Sequence, residues 1–373
     1  MAGMEERTSL PTLLSQTLVA FTIEADNEFE RQAPHRTTKY GPGAGGGDLG
    51  RLPWLVSLAM WAHFLRHVDD EGTRADVLAE RTGLGRAELT CWLQRLSLWW
   101  GYLEIVPGAN PLKPGPDWVA RPTRGGRKAM EVWRGLPETI EARWARRYGW
   151  DEMSALRAGL ERLGAQIAAE TDVAWPEYLP ILQYGLFSRA ARAKKKKTED
   201  EGAGRTLTAL LTRPLLKFAM EFEAGFPLSL AVCANLLRLV EEEGVATREL
   251  PRRSGVSSEA LTMAMGLLKK RGSVKTATEK RRGKIAWLTE LGRADQAAYL
   301  ERVRRIEAEW RKRWQTDELR AVLERLADAD ETGQPRLMAA LETRAGWRAE
   351  KRPAETLPHF PMVLHRGGYP DGS

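Results

Sequence analysis

The chain repeats itself, so whatever fold it adopts must hold the same set of elements twice. LLSQTLVAF at 13–21 matches LLTRPLLKF at 210–218, an offset of 197. LAMWAHFLRHVDDEG at 58–72 matches LAVCANLLRLVEEEG at 230–244, an offset of 172, and the same offset lays RTGL at 81–84 on RSGV at 253–256. EARW at 141–144 matches EAEW at 307–310, now at 166. The offset falls in steps while the order of matches is kept, the pattern of two homologous copies that differ by insertions. The copies run from about residue 10 to 163 and from about 207 to 326. In domain terms this predicts an N-terminal copy over 1–165, an extended segment and Lys-rich linker over 166–205, a C-terminal copy over 206–330, and a Pro/Gly-rich tail over 331–373.

Within a copy the hydrophobic spacing is mostly helical. Residues 13–29 and 55–68 read as helices. A pair of helices follows at 75–81 and 86–100 with Gly83 between them, then two β-rich runs at 103–106 and 117–121, then closing helices at 126–148 and 153–163. The second copy reads alike: helices at 247–253 and 257–271 around Gly255, a hairpin over 273–290 with EKRRG at its tip, and a long charged helix at 293–314. The fold class expected is therefore mainly α with small β wings: two tandem winged helix-turn-helix domains joined by a helical dimer-like body, to which the first and last helices of each copy contribute amphipathic faces. Two Pro-rich apolar segments, WPEYLPILQ at 175–183 and LPHFPMVLH at 357–365, are too apolar to be free tails, and each is expected to lie back on its own domain. The glycine run at 41–47 is a surface loop, because no strand precedes it and no Gly-Lys-Ser/Thr follows. Residues 191–205, with Lys194–Lys197, read as a solvated linker.

Charge separates the copies. Between Lys269 and Lys284 lie eight Lys or Arg and one Glu, a net +7, which equals the +7 of the whole 373-residue chain, so the remainder is balanced. A helix preceding a basic hairpin suits a duplex, with the helix in the major groove and the hairpin on phosphates. Leu261, Met265 and Leu268 recur at helical spacing and should face the core. That turns Ser257, Ser258, Thr262, Met263 and Lys269 outward, with Ser257 also placed to cap the helix. Lys275 and the tip residues Lys280, Arg281, Arg282 and Lys284 are the candidate phosphate contacts. In the first copy the corresponding helix offers Arg86, Thr90, Gln94 and Arg95, but its hairpin tip has only Lys113. Trp61, Trp92, Trp99 and Trp100 crowd that copy, and two readings stand: core packing, or an aromatic pocket for a small effector.

Composition narrows the classes further. A hydrophobic content of 43% with 29% charged residues fits a globular chain. The N-terminal residues have no apolar segment like that of a signal peptide, and no run of 18 apolar residues suggests a membrane span, so a cytoplasmic location is expected. Cys91 and Cys233 cannot make a disulfide framework and read as packed thiols in a reducing compartment. The five histidines have no metal or triad spacing, and His63 and His67 lack the intervening Glu of a zinc protease. No enzyme, cofactor or metal is expected.

ALTMAMGLLKKRG at 260–272 resembles the recognition helix and closing glycine of the MarR-type winged-helix regulators. RRGKIAWLTELGR at 281–293 resembles that family's wing followed by its Leu-Thr-x-x-Gly-Arg element, of which PTRGGR at 122–127 is a partial version. The resemblance covers both copies, roughly three quarters of the chain. Two departures stand out: Met263 and Cys91 where the family commonly has Arg after the recognition-helix Thr, and Lys280 where it commonly has Asp. Members of that family are usually homodimers. The resemblance therefore implies a single-chain pseudo-dimer, monomeric in solution, that regulates transcription by binding double-stranded DNA. Its operator would be asymmetric or imperfectly palindromic, with half-sites about one helical turn apart. A small aromatic ligand acting as effector fits the same picture. The competing expectation is a winged-helix protein-interaction scaffold with reduced or no DNA binding.

Overall fold

A computed structural model describes residues 7–33, 57–106, 115, 117–171, 175–179, 206–331, 333–341 and 355–362. The element order occurs twice. The first round is α1 (Leu10–Gln32), α2 (Leu58–His63), β1 (Thr73–Arg74), α3 (Ala75–Thr82), α4 (Arg86–Gln94), β2 (Leu103–Val106), β3 (Val119–Pro122), α5 (Arg124–Tyr148) and α6 (Trp150–Glu170). The second is α7 (Leu207–Glu223), α8 (Leu230–Asn235), β4 (Val245–Ala246), α9 (Leu250–Ser254), α10 (Ser258–Arg271), β5 (Val274–Glu279), β6 (Gly283–Leu288), α11 (Glu290–Trp314) and α12 (Asp317–Ala327). Each round holds one three-stranded antiparallel sheet, ordered β1-β3-β2 and β4-β6-β5. The described residues are thus mainly helical, with two small sheets of identical topology. No described helix is long and apolar enough to cross a membrane.

Equivalent residues make equivalent bonds. Gly83 and Gly255 end α3 and α9 in the left-handed region, at φ 65° and 72°, where a residue without Cβ is favoured. Just before each glycine a hydroxyl bonds back to its own helix, Thr82 to Leu78 O at 2.6 Å and Ser254 to Leu250 O at 2.7 Å. The Thr-x-x-Gly element has a physical basis in both rounds. Thr289 Oγ1 donates to Gly272 O (2.6 Å) and accepts from Gly292 N (3.0 Å); Thr123 Oγ1 does the same with Gly101 O (2.8 Å) and Gly126 N (3.0 Å). A Cβ on Gly292 would stand 1.9 Å from Ser273 O, and on Gly126 2.1 Å from Tyr102 O. The glycine lets the long helix start against the carbonyl that ends the preceding one. Gly292→Ala should cost about 3 kcal/mol, since backbone and not a flexible side chain blocks the methyl. A denaturation midpoint unchanged from wild type would refute this.

Two expectations are corrected. The helix foreseen over 55–68 is two pieces: α2, capped by Ser57, and a 3₁₀ turn at Leu65–His67, separated at Phe64 where φ is −139° and ψ −60°. The second copy breaks in the same way at Leu236. The helix foreseen over 86–100 is α-helical only to Gln94 and continues as a π turn over Arg95–Trp99, with Trp100 N bonded to Arg95 O at 2.9 Å. The cause is one extra residue. Leu89 to Gly101 spans 12 positions where Leu261 to Gly272 spans 11, and a π turn takes up a single insertion without ending the helix. Residues 175–179, which follow α6, also meet the second copy. Arg213 of α7 stands over the Trp175 ring at 5.9 Å and Thr206 bonds Glu177 at 3.3 Å, because the segment leaves α6 where α6 already runs beside α7.

The chain forms two compact units. Of the described residues, unit one comprises 7–21, 144–171, 175–179, 206–331, 333–341 and 355–362; unit two comprises 22–33, 57–106, 115 and 117–143. In unit one α6 packs against both α7 and α12, so the last helix of the first copy meets the first and last helices of the second. Gly159 sets the close approach to α12, a Cβ there falling 3.2 Å from Leu319, and Arg213 donates to Gly164 O at 3.0 Å. The equivalent glutamates Glu152 and Glu318 each take an arginine from the other copy, Arg325 at 2.8 Å and Arg162 at 2.7 Å. Such reciprocity is what a two-fold interface produces. Unit two centres on Phe29 stacked on Trp133 at 4.8 Å, with Asp26 accepting from the first amide of α2 at 2.6 Å.

Candidate nucleic-acid interface

In the second copy α10 turns its apolar face inward: Ala260, Leu261, Ala264, Met265 and Leu268 are buried, as the spacing requires. Ser258, Thr262 and Lys269 are exposed, with Ser257 and Met263 half-buried. Ser257 caps the helix, its hydroxyl accepting from Ala260 N at 3.3 Å. Thr262 Oγ1 donates to Ser258 O at 2.7 Å, so a base contact by its hydroxyl competes with a bond it already has.

The hairpin that follows is regular. β5 and β6 pair from Val274↔Leu288 to Glu279↔Gly283, leaving Lys280, Arg281 and Arg282 as a three-residue tip closed by Gly283 at φ 76°. Alternation along β5 and the tip places Lys275, Lys280, Arg281 and Lys284 in solvent. Together with Lys269 these are five cations that make no ion pair among the described residues. Arg282 differs. Its guanidinium donates to Gly244 O at 3.1 Å and lies 3.8 Å from Glu279, so it ties the tip to the turn formed by Glu241–Gly244.

Arg271 is also committed elsewhere. It forms a two-pronged pair with Asp295 of α11 at 2.7 and 2.8 Å, and Ser273 Oγ adds a third bond to the same carboxylate at 2.6 Å. Burial pushes Asp295 up, but the bonds from Arg271 and Ser273 outweigh it and hold the carboxyl below the usual range. The pair fixes the end of α10 and the start of the hairpin to α11. Sequence reading missed it, since the partner lies 24 residues away and nothing in the local pattern of α11 singles out Asp295.

The first copy builds the same frame with other chemistry. Thr90, Gln94 and Arg95 are all half-buried, and Arg86 begins α4 behind Gly85, which offers no side-chain cap. Its hairpin strands are four residues each against six in the second copy. The tip, including Lys113, lies outside the described residues, as do the glycine run at 41–47 and Lys194–Lys197. Where the second copy ends its helix with Lys269, Lys270 and Arg271, the first has Ser97, Leu98, Trp99 and Trp100, with Leu98 57% exposed, and Ala129 stands where Asp295 would.

The tryptophans are placed as follows. Trp61, Trp92 and Trp100 are buried, and Trp92 stacks on Phe64 at 5.8 Å, so these rings fill the core of unit two; Trp99 belongs to the π turn. A groove of about 870 Å³ opens instead within unit one, lined by Arg238, Tyr299, Val303, Glu307, Arg320 and His359 among others. Arg238 is one of its lining residues, and the Nη2 of this side chain is shielded from solvent with no hydrogen-bond partner among the described residues. Arg320, by contrast, is held by Glu307, Glu324 and Thr8 O. Burial, with the Arg238 charge beside it, brings the His359 imidazole down to about 3, so it is neutral. Cys233 is buried, and burial pushes its thiol well up, away from thiolate chemistry. No group of three or more His, Cys, Asp or Glu able to hold a metal occurs among the described residues.

Comparison with protein-family models, curated proteins and solved structures finds no match for this chain.

Proposed function

We propose that the chain is a sequence-specific duplex-DNA-binding transcriptional regulator of the MarR type: two winged helix-turn-helix domains in one polypeptide, acting as an intrachain pseudo-dimer. The observation that carries this reading is the set of five unpaired cations, Lys269, Lys275, Lys280, Arg281 and Lys284, around the exposed polar face of α10. Cations left without partners on a helix and the hairpin beside it match the footprint of a phosphate backbone. In the second head, affinity comes from these phosphate contacts, and Ser258, Thr262 and Met263 face the bases. In the first head, readout falls to Arg86, Thr90, Gln94 and Arg95, with a smaller electrostatic share. The two half-sites therefore differ in sequence and in salt sensitivity.

The salt dependence of binding to mixed-sequence duplex tests this reading. Five to six phosphate contacts give a log–log slope of about −5. A slope near zero would remove the reading. A protein-interaction scaffold is the second reading, and exposed Leu98 in place of a basic helix end favours it for the first head only.

The effector is assigned to the groove at Arg238 and not to the buried tryptophans. A guanidinium with an unfilled donor beside the apolar walls of Tyr299 and Val303 suits a small monocarboxylate with an apolar body. Benzoate at millimolar concentration should raise the melting temperature, benzamide should not, and Arg238→Met should abolish the difference. Equal shifts from the acid and the amide would refute the assignment.

A further inference from the structure

The C-terminal segment at 355–362 touches three separate elements of unit one. On α1, Ser15 Oγ donates to Pro358 O at 2.8 Å, and Gln16 Nε2 donates to Thr356 Oγ1 at 3.3 Å and Leu357 O at 3.4 Å. At the end of α8, one buried side chain reads the segment's backbone from both sides. Asn235 Nδ2 donates to Phe360 O at 2.6 Å, and its Oδ1 accepts from His359 N at 2.9 Å and Phe360 N at 3.3 Å. At the helix-turn-helix itself, Glu355 N donates to Arg252 O at 2.9 Å, and Thr356 O sits so close to Gly255 that a Cβ there would be 2.3 Å away.

We propose that residues 355–362 are a releasable strap that locks the second head to body helix α1. Pro358 and Pro361 pre-set an extended backbone that has fewer donors to satisfy. Leu357, Phe360 and Met362 are buried to 2% exposure or less and anchor it. The turn glycine thus has a second duty besides its positive φ: it leaves room for the strap's carbonyl. Seated, the strap joins α1, α8 and α9 in one block, which accords with the second head sharing a compact unit with the body helices while the first head forms a unit of its own. His63 stands in the first copy where Asn235 stands in the second, so the amide that reads the strap belongs to the second copy. Release short of global unfolding follows from scale. The entropy of ordering eight residues opposes three apolar side chains and seven hydrogen bonds, terms of similar size.

The proposal is independent of DNA binding and is tested without it, by native-state hydrogen exchange on the full chain. In the wild type, amides of 355–362 that are hydrogen-bonded, together with those of α9 and Gly255, should open together and before those of α6 and α12. In Asn235→Leu and in Phe360→Ala, exchange at α9 and Gly255 should rise at least tenfold while α6 and α12 keep wild-type rates. Unchanged exchange at α9 in both variants would overturn the coupling. A rise of the same factor in α6 and α12 would also overturn it, by making the strap part of one global core. If neither variant folds, the wild-type order of opening decides alone: strap and α6 opening together contradicts the proposal.

Discussion

Replacing Lys280, Arg281 and Lys284 together with alanine should weaken binding to any duplex by about 100-fold at moderate salt. All three project from the hairpin without an ion pair among the described residues, so truncation removes charge without leaving a partner exposed. Each lost phosphate contact should flatten the salt dependence by about 0.9, so the log–log slope should fall by about 2.7 in magnitude. The loss should be uniform across sequences if, as proposed, the hairpin tip meets backbone and not bases. Arg282→Ala separates position from charge. Its guanidinium is engaged by Gly244 O, so the variant should disturb the hairpin while changing the slope less than Arg281→Ala does. Filter-binding titrations at four or five salt concentrations give both numbers. An unchanged slope in the triple variant would mean that these cations do not meet phosphate.

The second large effect is on stability. Asp295→Ala removes a carboxylate at 5% exposure that accepts three bonds from Arg271 and Ser273. Breaking a buried pair from one side costs about 3–5 kcal/mol, and the partial exposure of Arg271 lowers this to about 2–3 kcal/mol. The double variant Arg271→Met, Asp295→Leu should recover most of the loss, since no uncompensated charge then remains. The pH dependence has a definite sign. Asp295 is held below its unfolded value, so its contribution is present above the unfolded carboxylate pKa and is lost as pH falls through the folded one. Asp295→Asn should lack that acid-side loss. Guanidinium unfolding at neutral and acid pH measures both effects, and equal midpoints for wild type and Asp295→Ala would contradict the role assigned to the pair.

Sequence reading reached what local patterns encode. The repeat, the turn glycines Gly83 and Gly255, and the buried face of α10 at Leu261, Met265 and Leu268 all follow from spacing or from backbone conformation at single positions. What escaped depends on contacts far apart in the chain. Arg271 counted as one of eight cations on the candidate surface, yet its partner Asp295 removes it. Arg282 looked like a tip residue and is held by the acidic turn. The contacts of residues 175–179 with Arg213 and Thr206 were not legible, because helix packing, not local composition, decides which neighbour a tail meets. The π turn at Arg95–Trp99 had a visible trace, a one-residue change of offset between Leu89 and Gly101, but an inserted residue can be absorbed by a loop or by a helix, and spacing alone does not choose.

The central claim is that one chain presents two unlike DNA-reading heads. Selection of duplexes from a random-sequence pool by the full chain tests it most directly. The account predicts an enriched bipartite site whose halves differ, with one half lost when Thr262 and Met263 are replaced and the other when Thr90 and Gln94 are replaced. A pool that gains no motif after repeated rounds would contradict it.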